Sequence, residues 1–428
     1  MVTSQPAGAE PRAPRHAVAA KQAFPDAEVL FVDCAPRGAT QPDPPDLRAA
    51  AGVIRQTLDY PSRASAPVAL AISKLRVLAA RWLMKVFGLV TEPLFGERTI
   101  GLTAMLIAAR ADVYMGHNIE TLLPIGLAAR RNRAALIFDC MEYYSDMGED
   151  QSVEEARAAT LLETRWLPQC VLTTASSEAL SRVLASRYAI TPPLALYNTP
   201  PAEELPPRPK AAGLRLYWRN AVVGFSQRGL DDALVALTLL PDDVTLHLQG
   251  KPSMDGGARL RARIAELGLV ERVTILPPYS PGQAVRQAAR YDVGLCLERR
   301  GPANHEYTVS NKLFDYMMAG LAVVIADLPS LRAVVDRADS GLIFEPGSPQ
   351  ALAAQIRRLR DEPGLLTSLM AKAGCFALTE GNLAADMERF RVALQCAVRA
   401  KAGNRTGEAP NSLTDPMGAV DPANPVGS

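Results

Sequence analysis

The sequence is short of several things, and each shortage closes off a class of function. Across 428 residues, 46 Lys+Arg oppose 45 Asp+Glu for a formal net charge of +1, so no global field is available to hold a nucleic-acid backbone. Nucleic acid is not an expected partner. The six cysteines Cys34, Cys140, Cys170, Cys296, Cys375 and Cys396 show neither CxxC spacing nor Cys/His clustering, which argues against zinc and against a disulfide framework. Most sit in apolar runs and read as reduced, buried thiols, favouring the cytoplasm. No run approaches the roughly 20 apolar residues a membrane span needs. The longest, around Ala66 to Leu94, is interrupted by Lys74, Arg76, Arg81 and Lys85. The opening MVTSQPAGAEPRAPRH has no apolar stretch behind its charges, so no secretory leader is expected there.

What is present is a rhythm. The length exceeds what one hydrophobic core usually serves, so two domains are expected. From Leu214 onward, the short apolar runs LRLYW, VTLHLQG, VTILPPY, DVGLCLE, AVVIAD and GLIFE alternate with segments of helix length, the pattern of a doubly wound parallel sheet. The first half repeats it less regularly with AEVLFVD, DVYMGH, AALIFDC, CVLTTAS and LALYN. Between the halves, the prolines of TPPAEELPPRPKAAG block helix and central strand alike, which reads as a semi-rigid linker. The expected division is an N-terminal domain over 1–198, a linker over 199–212, a C-terminal domain over 213–378, a helix over 379–402 and a disordered tail over 403–428. Open parallel sheets bind ligands beyond the carboxyl ends of their strands, so the cleft between the domains is the default site.

The most informative stretch is ERRGPANHEYTVSNKLFDYMMAGLAVVIADLP, which follows the strand DVGLCL. Its polar loop leads to Ser310, whose hydroxyl can cap a helix beginning at Asn311. Such a helix start presents free N–H groups and partial positive charge, with Lys312 beside it, and suits an anion. Lys312 and Asp315, three apart, share a side of that helix: the lysine suits a phosphate, the aspartate a ribose diol. On spacing alone, a solvated surface pair is an equal reading.

The run SNKLFDYMMAGLAVVIADLPSLRAVV, followed by GLIFEPGSPQALAAQI, resembles the donor-binding half of retaining GT-B glycosyltransferases of the family-four kind (glycosyl transferases group 1), densely over Arg290 to Leu359 and loosely from about His16 to about Arg399. The resemblance implies an α/β GT-B fold of two Rossmann-like, doubly wound parallel-sheet domains facing a central cleft. It places Ser310, Asn311 and Lys312 at the donor diphosphate, Asp315 at the nucleotide ribose and Glu306 at the donor sugar. Arg228, in a GRGLE-like segment reading FSQRGLDD, would meet the diphosphate; a surface residue at a helix start is the plainer reading. The segment ADVYMGHNIETLLPIGLAAR puts His117 at a strand end as the active-site residue, with a structural histidine as the alternative, and FDCMEYYSD offers Glu142 on the acceptor side. The family's first strand and its glycine-rich turn are expected to be absent, and residues 1–15 disordered.

From Val68 to Val90, Val68, Ile72, Leu75, Ala79, Leu83 and Val86 recur at helical spacing, with Lys74, Arg81 and Lys85 on a second stripe. Such a helix either rests on anionic lipid as a peripheral contact through 68–90 or packs on the core with a solvated face. The function implied is hexosyl-type transfer from a nucleotide-sugar donor to a glycan, lipid-linked or small-molecule acceptor, with retention. It would serve polysaccharide or glycoconjugate synthesis in the cytoplasm or on the inner face of the membrane, without metal or cofactor. The alternatives are a catalytically weak nucleotide-sugar-binding partner protein, or an epimerase or hydrolase on the same fold.

Overall fold

Two parallel sheets, each with its first strand in the middle, organise the chain. The computed structural model describes residues 1–39, 43–49, 51–62, 66–148, 151–206, 208–209, 212–224, 229–279 and 281–406. In the first sheet, strands β1 (Val2–Thr3), β2 (Val29–Pro36), β3 (Val53–Tyr60), β4 (Val113–His117), β5 (Ala135–Cys140), β6 (Leu172–Ala175) and β7 (Leu194–Ala195) run in the order β3-β2-β1-β4-β5-β6-β7. In the second, β8 (Leu214–Val223), β9 (Val244–Pro252), β10 (Val273–Leu276), β11 (Val293–Cys296), β12 (Ala322–Ala326) and β13 (Gly341–Phe344) run in the order β10-β9-β8-β11-β12-β13. The order reverses between β1 and β4 and between β8 and β11, so each sheet opens a crevice there, beyond its strand carboxyl ends.

The expected absence of a first strand is overturned. Val2 pairs with Val32 on one side and Gly116 on the other, and Val2 and Thr3 are buried. Two residues suffice because β2 and β4 supply ladder partners on both flanks. Residues 1–15, expected to be disordered, hold this strand, a turn through Gly8 and the start of helix Arg12–Ala23. Glu10 fixes that helix start by accepting from the backbone N–H groups of Arg12 (2.9 Å) and Ala13 (3.0 Å). Edge strand β3 went unread because its half-exposed VIRQTLDY never forms an apolar run.

The linker is anchored at both ends. Thr199 donates to Asp386 at 2.8 Å, while Arg208 donates to the carbonyls of Ala289, Ala319 and Gly320 at 3.2, 2.9 and 2.9 Å. The last helix, Leu383–Thr406, crosses back to the first domain, where Phe390 stacks on His16 at 4.4 Å and Gln395 donates to the Ala23 carbonyl. It takes in 403–406, the first four residues of the expected tail; from 407 onward that expectation lies outside the described residues.

Candidate functional site

The crevices of the two sheets meet in one cavity of about 500 Å³, lined from the first domain by Arg12, Glu142 and Asn198 and from the second by Glu298, Ser310 and Asn311. Every one of these residues follows a strand, β1, β5, β7 or β11, at its carboxyl end. A larger hollow, about 720 Å³, opens beside Gly126, Trp166 and Lys401, away from those strand ends.

The helix Asn311–Met318 is set by packing. Leu313, Phe314, Tyr316 and Met317 are buried, and Tyr316 lies so close to Gly294 that a Cβ there would sit 2.3 Å from its ring. Gly320, at φ +67°, follows the helix in the left-handed conformation that glycine adopts without penalty. Ser310 occupies the N-cap position, but its hydroxyl does not cap the helix; it lines the cavity instead. Asn311 is exposed there. First-turn N–H groups therefore open onto the cavity with their partial positive charge.

Lys312 and Asp315 are neither a solvated pair nor freely presented. Lys312 is 3% exposed, with Nζ 2.7 Å from Glu298 and 5.4 Å above the centre of the Trp218 ring. Asp315 is ion-paired with Arg219, whose backbone N–H donates to the Tyr316 hydroxyl at 3.0 Å. Arg219, one of the residues absent from the expected set, thus holds a place at the second crevice. On sequence it is spaced too far back to match the upstream arginine of the resembled family; only the sheet brings residue 219 beside residue 315. Arg228 lies outside the described residues. Gly229 next to it is described: its φ is +69°, and a Cβ would fall 2.1 Å from the Leu297 carbonyl oxygen, so this helix entry presses on the end of β11. Glu306 is half-buried on the short helix Ala303–Tyr307 and is not part of the cavity lining.

On the first-domain side, His117 ends β4 as expected but is fully buried behind the cavity wall. His16 Nδ1 lies 2.9 Å from His117 Nε2, and His117 Nδ1 lies 3.3 Å from the Val2 carbonyl. The carbonyl can only accept, so His117 carries its proton on Nδ1 and His16 donates to His117 Nε2. That leaves His16 Nε2 as an unpaired lone pair against Phe390. Burial lowers both imidazoles, His117 to about 4, against the opposing pull of Asp139; both are neutral at pH 7. Burial alone would raise the Asp139 carboxyl, but the Arg12 guanidinium overrides this and holds it well below the usual carboxylate range. Arg12 grips Asp139 with Nε at 2.6 Å and a terminal N–H at 2.9 Å, and Thr174 donates to the same carboxylate at 2.5 Å.

His16, His117 and Asp139 lie close enough to share a metal ion. With Arg12 already facing the carboxylate, the arrangement suits a hydrogen-bonded network better than a cation site, since a second positive charge there would meet the guanidinium at short range. The network's product is a rigid Arg12 at the cavity wall. Arg12 and His16 were not read from the sequence, although their spacing of four within RAPRH puts them on one helix face.

The segment after β11 also closes the cleft. Asn304 accepts from the Tyr143 N–H at 2.8 Å, Asp146 accepts from the Ala303 N–H at 2.9 Å, and the Ser177 hydroxyl donates to the Tyr307 carbonyl. Tyr143 and Tyr307 meet edge to face, 5.4 Å between centres.

Comparison with known proteins agrees with this architecture. Residues 221–362 match the model of the family described as Glycosyl transferases group 1. No curated protein sequence matches the chain significantly. Among solved structures, Anabaena HepE in complex with UDP-glucose superposes with a TM-score of 0.65 at 15% identity, covering 92% of this chain and 98% of that one. A glycosyltransferase from Rickettsia africae gives 0.65 at 13% identity, with 93% and 97% covered. Sucrose-phosphate synthase from Thermosynechococcus elongatus gives 0.61 at 12% identity, with 90% and 92% covered. At such identities the likeness speaks for the fold. The chain has the GT-B fold, and 221–362, most of its second domain, is similar to the glycosyl transferases group 1.

Proposed function

We propose that this protein transfers a sugar from a nucleotide-diphosphate donor to an acceptor hydroxyl, with retention at the anomeric carbon. The observation that carries the reading is the helix start at Ser310 and Asn311, opening into an interdomain cavity at the carboxyl ends of both sheets. As the bond from the anomeric carbon to the donor phosphate oxygen breaks, negative charge grows on the leaving diphosphate. Free N–H groups at that helix start stabilise it, and Arg228 is assigned to the same charge on the motif alone. The acceptor oxygen bonds the anomeric carbon on the face the diphosphate leaves, and its proton passes to the departing phosphate oxygen.

For Lys312 to engage the diphosphate, its ammonium must trade Glu298 for a phosphate oxygen, because Nζ is enclosed by Glu298 and Trp218. Asp315, steadied by Arg219, takes the ribose, and Glu142 stands where an acceptor would enter; Glu306 lies outside the cavity lining, so a contact with the donor sugar requires the helix Ala303–Tyr307 to move. His117 acts on the site through Asp139 and Arg12 as a positioning residue. Anabaena HepE holds UDP-glucose, which supports a UDP-sugar as the first donor to try. A polysaccharide or lipid-linked glycan acceptor in the cytoplasm is the setting we assign; the six unpaired cysteines suit a reducing compartment.

A thermal-shift series with UDP-, GDP- and ADP-sugars tests the reading, since a ligand that binds only the folded state raises its melting temperature. Asn311→Asp is the decisive variant. An acidic side chain at a helix start preserves or improves folding but repels a diphosphate, so the free protein should melt at or above the wild-type temperature while the donor-induced shift disappears. An undiminished shift removes the helix start from the site. Binding without transfer to any acceptor, by product analysis, leaves a donor-binding protein and not a transferase.

A further inference from the structure

The helix Pro67–Phe87 packs on the first domain through a narrow strip, its buried residues being Ser73, Ala80 and Met84. A surface helix normally turns polar side chains outward. This one does the reverse. Val68, Leu75 and Trp82 are 73%, 65% and 57% exposed, and Ile72, Leu78 and Val86 are also exposed. At 3.6 residues per turn these six fall within about a third of the circumference, on the side opposite the buried strip. Lys74, Arg81 and Lys85 follow along one edge of that sector and Arg76 along the other; all four are exposed, and the helix contains no Asp or Glu. Trp82 meets Phe87, also exposed, edge to face at 5.6 Å.

We infer that this face docks on an anionic lipid bilayer, with the helix lying in the plane of the interface, its apolar sector among the upper acyl chains and its four cations among the headgroup phosphates. Charge selects this occupant. A second copy of the helix packed face to face would set four cations against four, with no acid on either helix to offset them. Crossing the bilayer is not the alternative, because no helix among the described residues is long and apolar enough to span it. Arg81 reaches Glu155 at 3.2 Å, which ties the docking helix to the helix Val153–Trp166. The loop leading into that helix carries Glu142 and Asp146, so docking holds the first-domain wall of the cavity close to the lipid surface.

The test reads binding alone and is independent of the transferase reading. Of the three tryptophans, Trp166 and Trp218 are buried and Trp82 is exposed, so the fluorescence of the full-length protein reports on this face. With phosphatidylcholine vesicles containing phosphatidylglycerol, the emission should shift to the blue and the protein should float with the vesicles; with pure phosphatidylcholine both effects should fall away. The double variant Leu75→Asp, Leu78→Asp should lower the partition coefficient at least about tenfold. Lys74→Gln, Arg81→Gln and Lys85→Gln together should lower it about a hundredfold, near fivefold per charge. All these positions are exposed, and unchanged far-ultraviolet circular dichroism checks the fold. Equal flotation with neutral and anionic vesicles, or flotation indifferent to the aspartates, overturns the inference. So does a wild-type dimer in sedimentation that Leu75→Asp, Leu78→Asp dissolves.

Discussion

Glu163 shows how much a single buried group can weigh. It lies in the first-domain core with Oε2 accepting from the Tyr188 hydroxyl at 2.7 Å, and burial raises its carboxyl to about 7. A folded-state value above the unfolded one means that the stability it contributes is fully present below the ordinary value of 4.5 and is lost as pH rises through about 7. At pH 8 the ionised carboxylate therefore costs about 3 kcal/mol, at roughly 1.4 kcal/mol per unit. Glu163→Gln keeps an acceptor for Tyr188 and removes the charge. Calorimetry should find the variant more stable than wild type at pH 8 by about that amount and little changed at pH 5; equal melting at both values would refute this account. No local pattern marks Glu163, because its partner Tyr188 lies on the following α-helix, 25 residues on. The same holds for the pairings of Lys312 with Glu298 and Asp315 with Arg219. The helix Asn311–Met318 was legible from the motif, whereas the partners of its Lys312 and Asp315 were not.

Elements were more legible than partners wherever a strand was an apolar run of four or more residues. All six strands expected in the second half and all five expected in the first are present. What escaped was β1, too short to give any periodicity and recognisable only by its neighbours, and β3, whose alternation is half-solvated. Glycine behaviour separates a turn that needs glycine from one that tolerates it. At Gly229 the positive φ and the Leu297 carbonyl both exclude a Cβ, so Gly229→Ala should destabilise by at least about 2 kcal/mol in denaturant unfolding. Gly8, in the turn after β1, has open space around it and no positive φ. Gly8→Ala should stay within about 0.5 kcal/mol of wild type. If both substitutions cost the same, the pressure of the Gly229 helix entry on β11 is not what the second domain depends on.

At the scale of the molecule, two attachments hold the domains in register. The helix Leu383–Thr406 returns to the first domain behind the cleft, and the segment Ala303–Tyr307 clasps residues Tyr143 to Asp146 at its mouth. The last helix was expected as an element, but where it and the clasp attach was not legible, since each attachment depends on surfaces that exist only after both sheets have formed. The clasp has a specific consequence for transfer chemistry, because closure of the cleft keeps water from the activated sugar. Asn304→Ala deletes the acceptor for the Tyr143 N–H without touching the cavity end of the helix Asn311–Met318. The donor-induced thermal shift should therefore persist, while the cleft spends more time open. Under the transferase reading, the ratio of free sugar released to sugar transferred should rise about tenfold, the effect of about 1.4 kcal/mol favouring the open state. Chromatography of the products with and without acceptor measures that ratio directly. An unchanged ratio together with an unchanged donor shift would mean that the clasp serves stability alone, and closure would then have to be sought in the linker held by Arg208.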